Sequence, residues 1–257
     1  MEKRVFAIAA HPDDIEFMMA GTMMLLKERS YELHYMTVAN GSCGTAEHDR
    51  ETIIQIRRQE SINAAEFIGA VYHESLCDDI EIFYEKKLLT RLGSVIREVA
   101  PEILLVPSPV DYMEDHVNTS RLAVTAAFCR GMINFPVSPP REIVDQDVTI
   151  YHALPYELRD QLRRAIRAEI YVDITEAMKN KEQMLVMHKS QKEWLDKSQG
   201  IDSYIITMTG LAKQAGKLSG RYEYAEGWQR HFHPGLCSEN ADPLSDVLKG
   251  KCFVDYS

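Results

Sequence analysis

Cysteine is scarce and scattered. The five present, Cys43, Cys77, Cys129, Cys237 and Cys252, never form a C-x-x-C pair. That argues against a thiolate metal site and against a disulfide framework, and it fits reduced thiols in the cytoplasm. Positive charge is also in the minority, with 29 Lys and Arg against 39 Asp and Glu and a net charge of -10. Nucleic acid is bound by clustered cations that release counterions, so such polymers are poor partners here. A local basic pocket for a small ligand stays open. No stretch approaches the roughly 20 apolar residues that span a bilayer, so no membrane partner is expected. The start, MEKRVFAIAAHPDD, has a short apolar run and then meets a charged turn, which reads as a first strand and not a signal peptide. Neither G-x-G-x-x-G nor G-x-S-x-G is found around the glycines, which weakens nucleotide-binding and serine-hydrolase readings. There is no internal repeat.

What is there is an ordinary globular composition, 45% hydrophobic and 26% charged. Short β-branched runs alternate with helical patterns, the βαβ signature of a mainly parallel sheet. Strands are expected over 4–10, 33–39, 71–76, 103–107, 148–152 and 170–173. Helices are expected over 16–29, 51–68, 87–99 and 118–130. The second of these opens near Glu47 and Asp49 and stops at Gly69, as dipole and capping rules require. Residues 134–147 hold Pro136, Pro139 and Pro140 and read as a long surface loop. After Thr175 a helical pattern runs to about Ser198. The tail, 240–257, has no assignable pattern. The expected fold class is α/β, Rossmann-like, with a mainly parallel sheet and helices on both faces. One domain over 1–257 is expected, with an α/β core over 1–198 and a helical C-terminal elaboration over 199–257.

The chemistry is concentrated in Ala10-His11-Pro12-Asp13-Asp14-Ile15-Glu16, directly after the first strand. Open parallel sheets bind ligands beyond the carboxyl ends of their strands. His11 and Asp14, three apart across a proline turn, can aim at one metal ion, with Asp13 facing the opening between them. Zinc takes His nitrogen and carboxylate oxygen, and a catalytic site needs a third protein ligand. His116, after the fourth strand and near a helix start, is the candidate. The competing explanation is that Asp13 or Asp14 caps the helix that follows. Two such loops after two parallel strands favour the metal. Fe²⁺ or Co²⁺ would suit the same ligands.

These residues closely resemble the PIG-L/LmbE-like family of zinc-dependent N-acetylglucosaminyl deacetylases. Its A-H-P-D-D-x-E signature is matched throughout by Ala10 to Glu16. Its H-P-D-H motif is matched in the latter half by Asp115 and His116. Arg57 and Glu60 as Arg-x-x-Glu, residues 173–175 as Asp-Ile-Thr and 188–191 as His-Lys-Ser-Gln are also similar. The resemblance runs from Val5 to about Gln191, with a looser echo over 224–231. It implies zinc on His11, Asp14 and His116, Asp13 as the base and later acid of an amide hydrolysis, and a small N-acylated sugar or conjugate as substrate. Arg57 would grip a substrate hydroxyl or anion; the alternatives are a surface pair with Glu60 or an exchange of roles with Arg58. Asp79 would contact the sugar, although Asp78 fits nearly as well. A homo-oligomer is compatible with this reading.

One departure stands out. The family's first histidine, which helps to stabilise the oxyanion, falls on Met113, and the proline falls on Glu114. A thioether donates no hydrogen bond, and losing one oxyanion donor costs about 100- to 1,000-fold in turnover. Tyr112 next door, or His231 or His233 in the run RHFHPG, are the candidate replacements, and Asp115 loses the histidine it would orient. The competing explanation of RHFHPG is a surface run ending a helix. Two further functions are weighed: a zinc amidase acting on a thiol conjugate or other small amide, and a carbohydrate-binding relative with weakened catalysis.

Overall fold

The computed structural model describes residues 3–199 and 203–255. Five parallel strands come first: β1 (Arg4–Ala9), β2 (Glu32–Thr37), β3 (Ala70–His73), β4 (Ile103–Val106) and β5 (Thr149–Ala153). Three more follow, β6 (Ile170–Asp173), β7 (Ala225–Arg230) and β8 (Cys252–Val254). The sheet order is β3-β2-β1-β4-β5-β7-β6-β8. Pairings among the first five are parallel, whereas β7 runs antiparallel to both β5 and β6, and β8 antiparallel to β6.

Strands covered on both faces become continuously apolar, as β4 (Ile-Leu-Leu-Val, all buried) illustrates. Alternate residues then feed two cores. Val5, Ala7 and Ala9 of β1 point to one, and Phe6, Ile8 and Ala10 point to the other. The first core takes α1 (Asp14–Met18), α2 (Ala20–Glu28), α3 (Arg50–Phe67) and α6 (Met178–Leu185). The second takes α4 (Lys86–Val99) and α5 (Glu114–Phe128). Helices α7 (Lys189–Gln199), α8 (Ser203–Ser219) and α9 (Pro243–Val247) complete the order. Among the described residues no helix is long and apolar enough to cross a membrane.

Most expected elements appear within a few residues of their expected ends. Helix α3 opens where Asp49 accepts from the Thr52 amide at 2.9 Å and ends before Gly69, whose φ is 66°. Two expectations need correction. The helix expected over 16–29 is broken at Met19, because the Glu226 carboxylate of β7 takes the amides of Gly21 (2.9 Å) and Thr22 (2.7 Å) and starts a new helix there. The C-terminal stretch is also more than helical, since β7 and β8 are part of the sheet. The expected boundary near 198 abuts residues 200–202, which lie outside the described residues.

Candidate functional site

The strand order departs to both sides from the neighbours β1 and β4, and such a switch point opens a crevice at the strand ends. The loop after β1 carries His11, Asp13 and Asp14; the segment after β4 leads to His116 in the first turn of α5. The two loops meet, with the His11 and His116 rings 5.5 Å apart. His11, Asp14 and His116 offer ligand atoms that all lie within 4.8 Å of one another, a group able to hold a metal ion. Both imidazoles turn one nitrogen to Asp14: Nδ1 of His11 is 3.5 Å and Nε2 of His116 is 3.4 Å from Oδ2. The other nitrogens face outer carboxylates, Asp115 at 2.9 Å from His11 Nε2 and Asp111 at 3.1 Å from His116 Nδ1. Carboxylates behind ligand histidines are the usual support of metal sites, so the donor set fits a divalent cation.

Charge tells the same story. Burial opposes ionisation of Asp14, but the neighbouring His116 and His11 outweigh it and hold its carboxyl well below the usual range. Burial likewise works against protonated His11, yet the bonds to Asp115 and Asp14 raise it to about 9. This is a field that attracts positive charge.

Asp13 occupies the N-cap position of α1, but its side chain makes no capping bond. It sits at a φ of 102°, a conformation rare outside glycine that tends to gather at functional positions. Its Oδ2 accepts from Tyr204 Oη (2.7 Å) and Arg57 Nη2 (3.3 Å), and among the described residues nothing donates to Oδ1. Burial pushes the Asp13 carboxyl above its usual range, with Arg57 opposing.

Arg57 is buried, donates to the Pro12 carbonyl as well, and does not pair with Glu60. A Cβ on Gly41 or on Gly44 would overlap its side chain, so the rim loop is glycine-rich to let the guanidinium through. Arg58 does not exchange roles with it but pairs with Glu74 at the surface. Glu60 instead accepts from the Ser190 amide (2.8 Å) and hydroxyl (2.7 Å). Gln191 Nε2 donates to the Gly44 carbonyl at 2.7 Å, and His188 lies 3.1 Å from the buried Glu16. The His-Lys-Ser-Gln run thus ties α3, the rim loop and the first motif together.

His11, Asp13, Asp14, His116, Arg57 and Tyr204 border a cavity of about 760 Å³. Tyr112 and Met113 line it, and the Tyr112 ring stands 6.1 Å from His116. Asp79 lines it as well, but both its oxygens are engaged by the amides of Gly41 (2.7 Å) and Cys43 (2.9 Å), so it shapes the loop. The structure does not bring His231 or His233 to the cavity wall. His231 Nδ1 is 2.9 Å from His152 Nε2, and His152 in turn contacts the Pro107 carbonyl. Asp115 faces His11 and the Ile80 amide (2.7 Å), so it orients the His11 ring. Sequence reasoning missed Asp111 and Tyr204. Asp111 carried a signal, a carboxylate five residues before a ligand histidine; Tyr204 carried none, because its contact spans 191 positions.

Residues 6–127 match the family model described as PIG-L, GlcNAc-PI de-N-acetylase. Over that stretch, a little under half of its length, the chain is similar to the PIG-L/LmbE-like deacetylases. Diacetylchitobiose deacetylase of Thermococcus kodakarensis is 28% identical over 247 residues, 91% of this chain and 84% of that protein. 4-Oxalmesaconate hydratase of Pseudomonas putida is 29% identical over 133 residues, 49% of this chain and 52% of that one. Among solved structures, the N,N'-diacetylchitobiose deacetylase from Pyrococcus horikoshii superposes at a TM-score of 0.76 with 23% identity, covering 95% of this chain and 88% of that one. The hydratase GalB from Pseudomonas putida superposes at 0.75 with 24% identity, covering 93% and 100%. The PIG-L/LmbE-like fold therefore houses deacetylases and a hydratase.

Proposed function

We propose that this chain is a zinc-dependent hydrolase that removes an N-acyl group, N-acetyl foremost, from an amino sugar or sugar conjugate. The observation that carries the reading is the convergence of His11, Asp14 and His116 beside the Asp13 carboxylate on one cavity. When bound, the ion supplies Lewis acidity, which acidifies water to a pKa of about 7 and polarises a carbonyl. The residues supply the proton traffic and the grip. Asp13 takes a proton from the attacking water through Oδ1, while Tyr204 and Arg57 hold Oδ2. Water oxygen bonds to the acyl carbon, the C–N bond then breaks, and Asp13 returns the proton to the departing amine. Tyr112 donates to the acyl oxygen in place of the histidine that Met113 replaces. The diacetylchitobiose deacetylase relative supports this chemistry.

The test is amine and acetate release by the zinc-loaded chain over a panel of N-acetylated sugars, with N-acylated cysteine conjugates as the thiol arm. Release that stops on chelation and returns with zinc is expected. No release from any sugar, with zinc bound, overturns the reading.

A second reading is water addition to an unsaturated oxo acid. The thioether of Met113 favours it, because such a reaction forms no tetrahedral acyl oxyanion, and a hydratase is among the relatives. Disappearance of the absorbance of 4-oxalmesaconate, with no amine released from the sugars, would select it.

A further inference from the structure

Between β5 and β6 the chain doubles back over 158–166. Arg159 bridges Ala165 in antiparallel fashion, Ile166 N donates to Leu158 O at 2.9 Å, and Asp160 N donates to Arg164 O at 2.9 Å. The base of this hairpin is anchored by buried Leu158, which packs with Leu154, Ala168 and Tyr171. Its tip stands in solvent, with Leu162 64% exposed. Arg159 and Arg163 both line the cavity that holds Asp13 and Asp14.

Three features set these arginines apart. First, they are not neutralised. Among the described residues no carboxylate comes within 4.0 Å of either guanidinium, although the chain as a whole is acidic. The nearest acid in sequence, Asp160, spends its Oδ1 on the amides of Leu162 (2.9 Å) and Arg164 (2.8 Å). Glu157, the other acid of the segment, also lines the cavity without pairing with them. Secondly, the hairpin is organised around them, since Arg159 Nη1 donates to the Arg163 carbonyl at 2.9 Å. Thirdly, Arg163 has a φ of 65°, a left-handed turn position that glycine or asparagine occupies without strain. Strain of this kind tends to be retained where the side chain has work to do.

We infer that the hairpin arginines Arg159 and Arg163 form an anion subsite, so that the substrate carries a carboxylate or phosphate on the part remote from its acyl amide. This rests on the deacylase reading above and names its substrate class. Guanidinium forks match carboxylate and phosphate oxygens in paired hydrogen bonds. Asp13 and Asp14 would repel an anion placed beside them, so opposite charge on a separate loop orients the substrate with its amide toward the metal ligands.

The experiment uses the full-length, zinc-loaded Asp13→Asn variant, which holds substrate without consuming it. Calorimetric titrations compare N-acetylglucosamine with its 6-phosphate and with N-acetylmuramic acid, the phosphate and carboxylate arms. At least one acid should bind about tenfold or more tighter than the neutral sugar. Added separately, Arg159→Gln and Arg163→Gly should each lower that ratio about tenfold, with Arg159→Lys intermediate. Arg163→Gly also relaxes the backbone, so it tests the charge even if Arg159→Gln disturbs folding. Equal affinity for the neutral and acidic sugars, no binding of either acid, or a preference that survives both substitutions overturns the subsite. Wild-type activity separates the two claims. Arginine-dependent anion preference without amine release refutes deacylation and leaves the subsite standing. Amine release without anion preference does the reverse.

Discussion

Asp115 grips Nε2 of His11 at 2.9 Å, which leaves Nδ1 as the nitrogen that faces Asp14. The same carboxylate oxygen accepts the Ile80 amide at 2.7 Å, so it is itself fixed by the loop before α4. Asp115, which the family resemblance would place beside a histidine at 113, faces His11 in this chain. Replacing such an outer carboxylate typically costs 10- to 100-fold in metal affinity. Asp115→Ala should lower zinc affinity by about that factor, measured by competition with a chromophoric chelator. Unchanged affinity would remove Asp115 from the metal site.

Asp13→Asn should separate binding from turnover. Asparagine preserves the shape and the contacts at Oδ2 but cannot accept the water proton. Turnover should fall by about 100- to 10,000-fold, while zinc content by elemental analysis stays at the wild-type level. A variant that keeps wild-type turnover would take the role of base away from this residue.

β1 and β4, the centre of the parallel half, were readable because they are buried on both faces and announce themselves as apolar runs. The meeting of His11, Asp14 and His116, a group able to hold a metal ion, was readable because each member follows a strand end with a local pattern. β7 was not readable. Its sequence, Ala-Glu-Gly-Trp-Gln-Arg, neither alternates nor runs apolar, because Glu226 is buried to meet α2 and Gly227 is squeezed against Leu154 and Ala168. His231 and His233 looked functional for want of another explanation, and the contact of His231 with His152 supplies one. Tyr204 was invisible for the opposite reason, being a single tyrosine that only the tertiary fold brings to Asp13.

Tyr112 is the remaining candidate for the oxyanion donor, lining the cavity next to Met113. Tyr112→Phe keeps the ring and removes the donor, so turnover should fall about 100- to 1,000-fold with KM little changed. Adding Met113→His should restore part of the loss by returning the family's donor. Wild-type turnover in Tyr112→Phe would show that the acyl oxygen is stabilised without it.

Acid should weaken the fold through His34. It is buried in β2, with Nδ1 2.9 Å from Nε2 of His73, and Glu32 and Arg4 are its charged neighbours. Burial, and then His73, depress His34 to about 4. An unfolded chain binds that proton near pH 6.5, so between 6.5 and 4 the unfolded state takes up protons that the folded state refuses. The contribution is therefore complete above pH 6.5 and is lost as pH falls through that window. Comparing wild type with His34→Phe by urea denaturation from pH 7 to 4 isolates this group. The stability difference between them should shift by a few kcal/mol, to the relative disadvantage of wild type. Parallel pH curves would count against a depressed His34.

Lys181 and Glu226 form an ion pair with almost no solvent exposure, and Glu226 also anchors the first amides of α2. Lys181 further donates to the Phe17 carbonyl at 3.0 Å, so the pair pins α6 and β7 to the end of α1, which carries Asp14. Removing one partner of a buried pair strands the other charge and costs about 3–5 kcal/mol. Glu226→Gln should lose about that much on chemical denaturation. Replacing both residues as Lys181→Met and Glu226→Gln should cost less than Glu226→Gln alone, because no charge is then stranded. If the double variant is no more stable than the single one, the amide caps on α2, rather than the ion pair, hold this junction together.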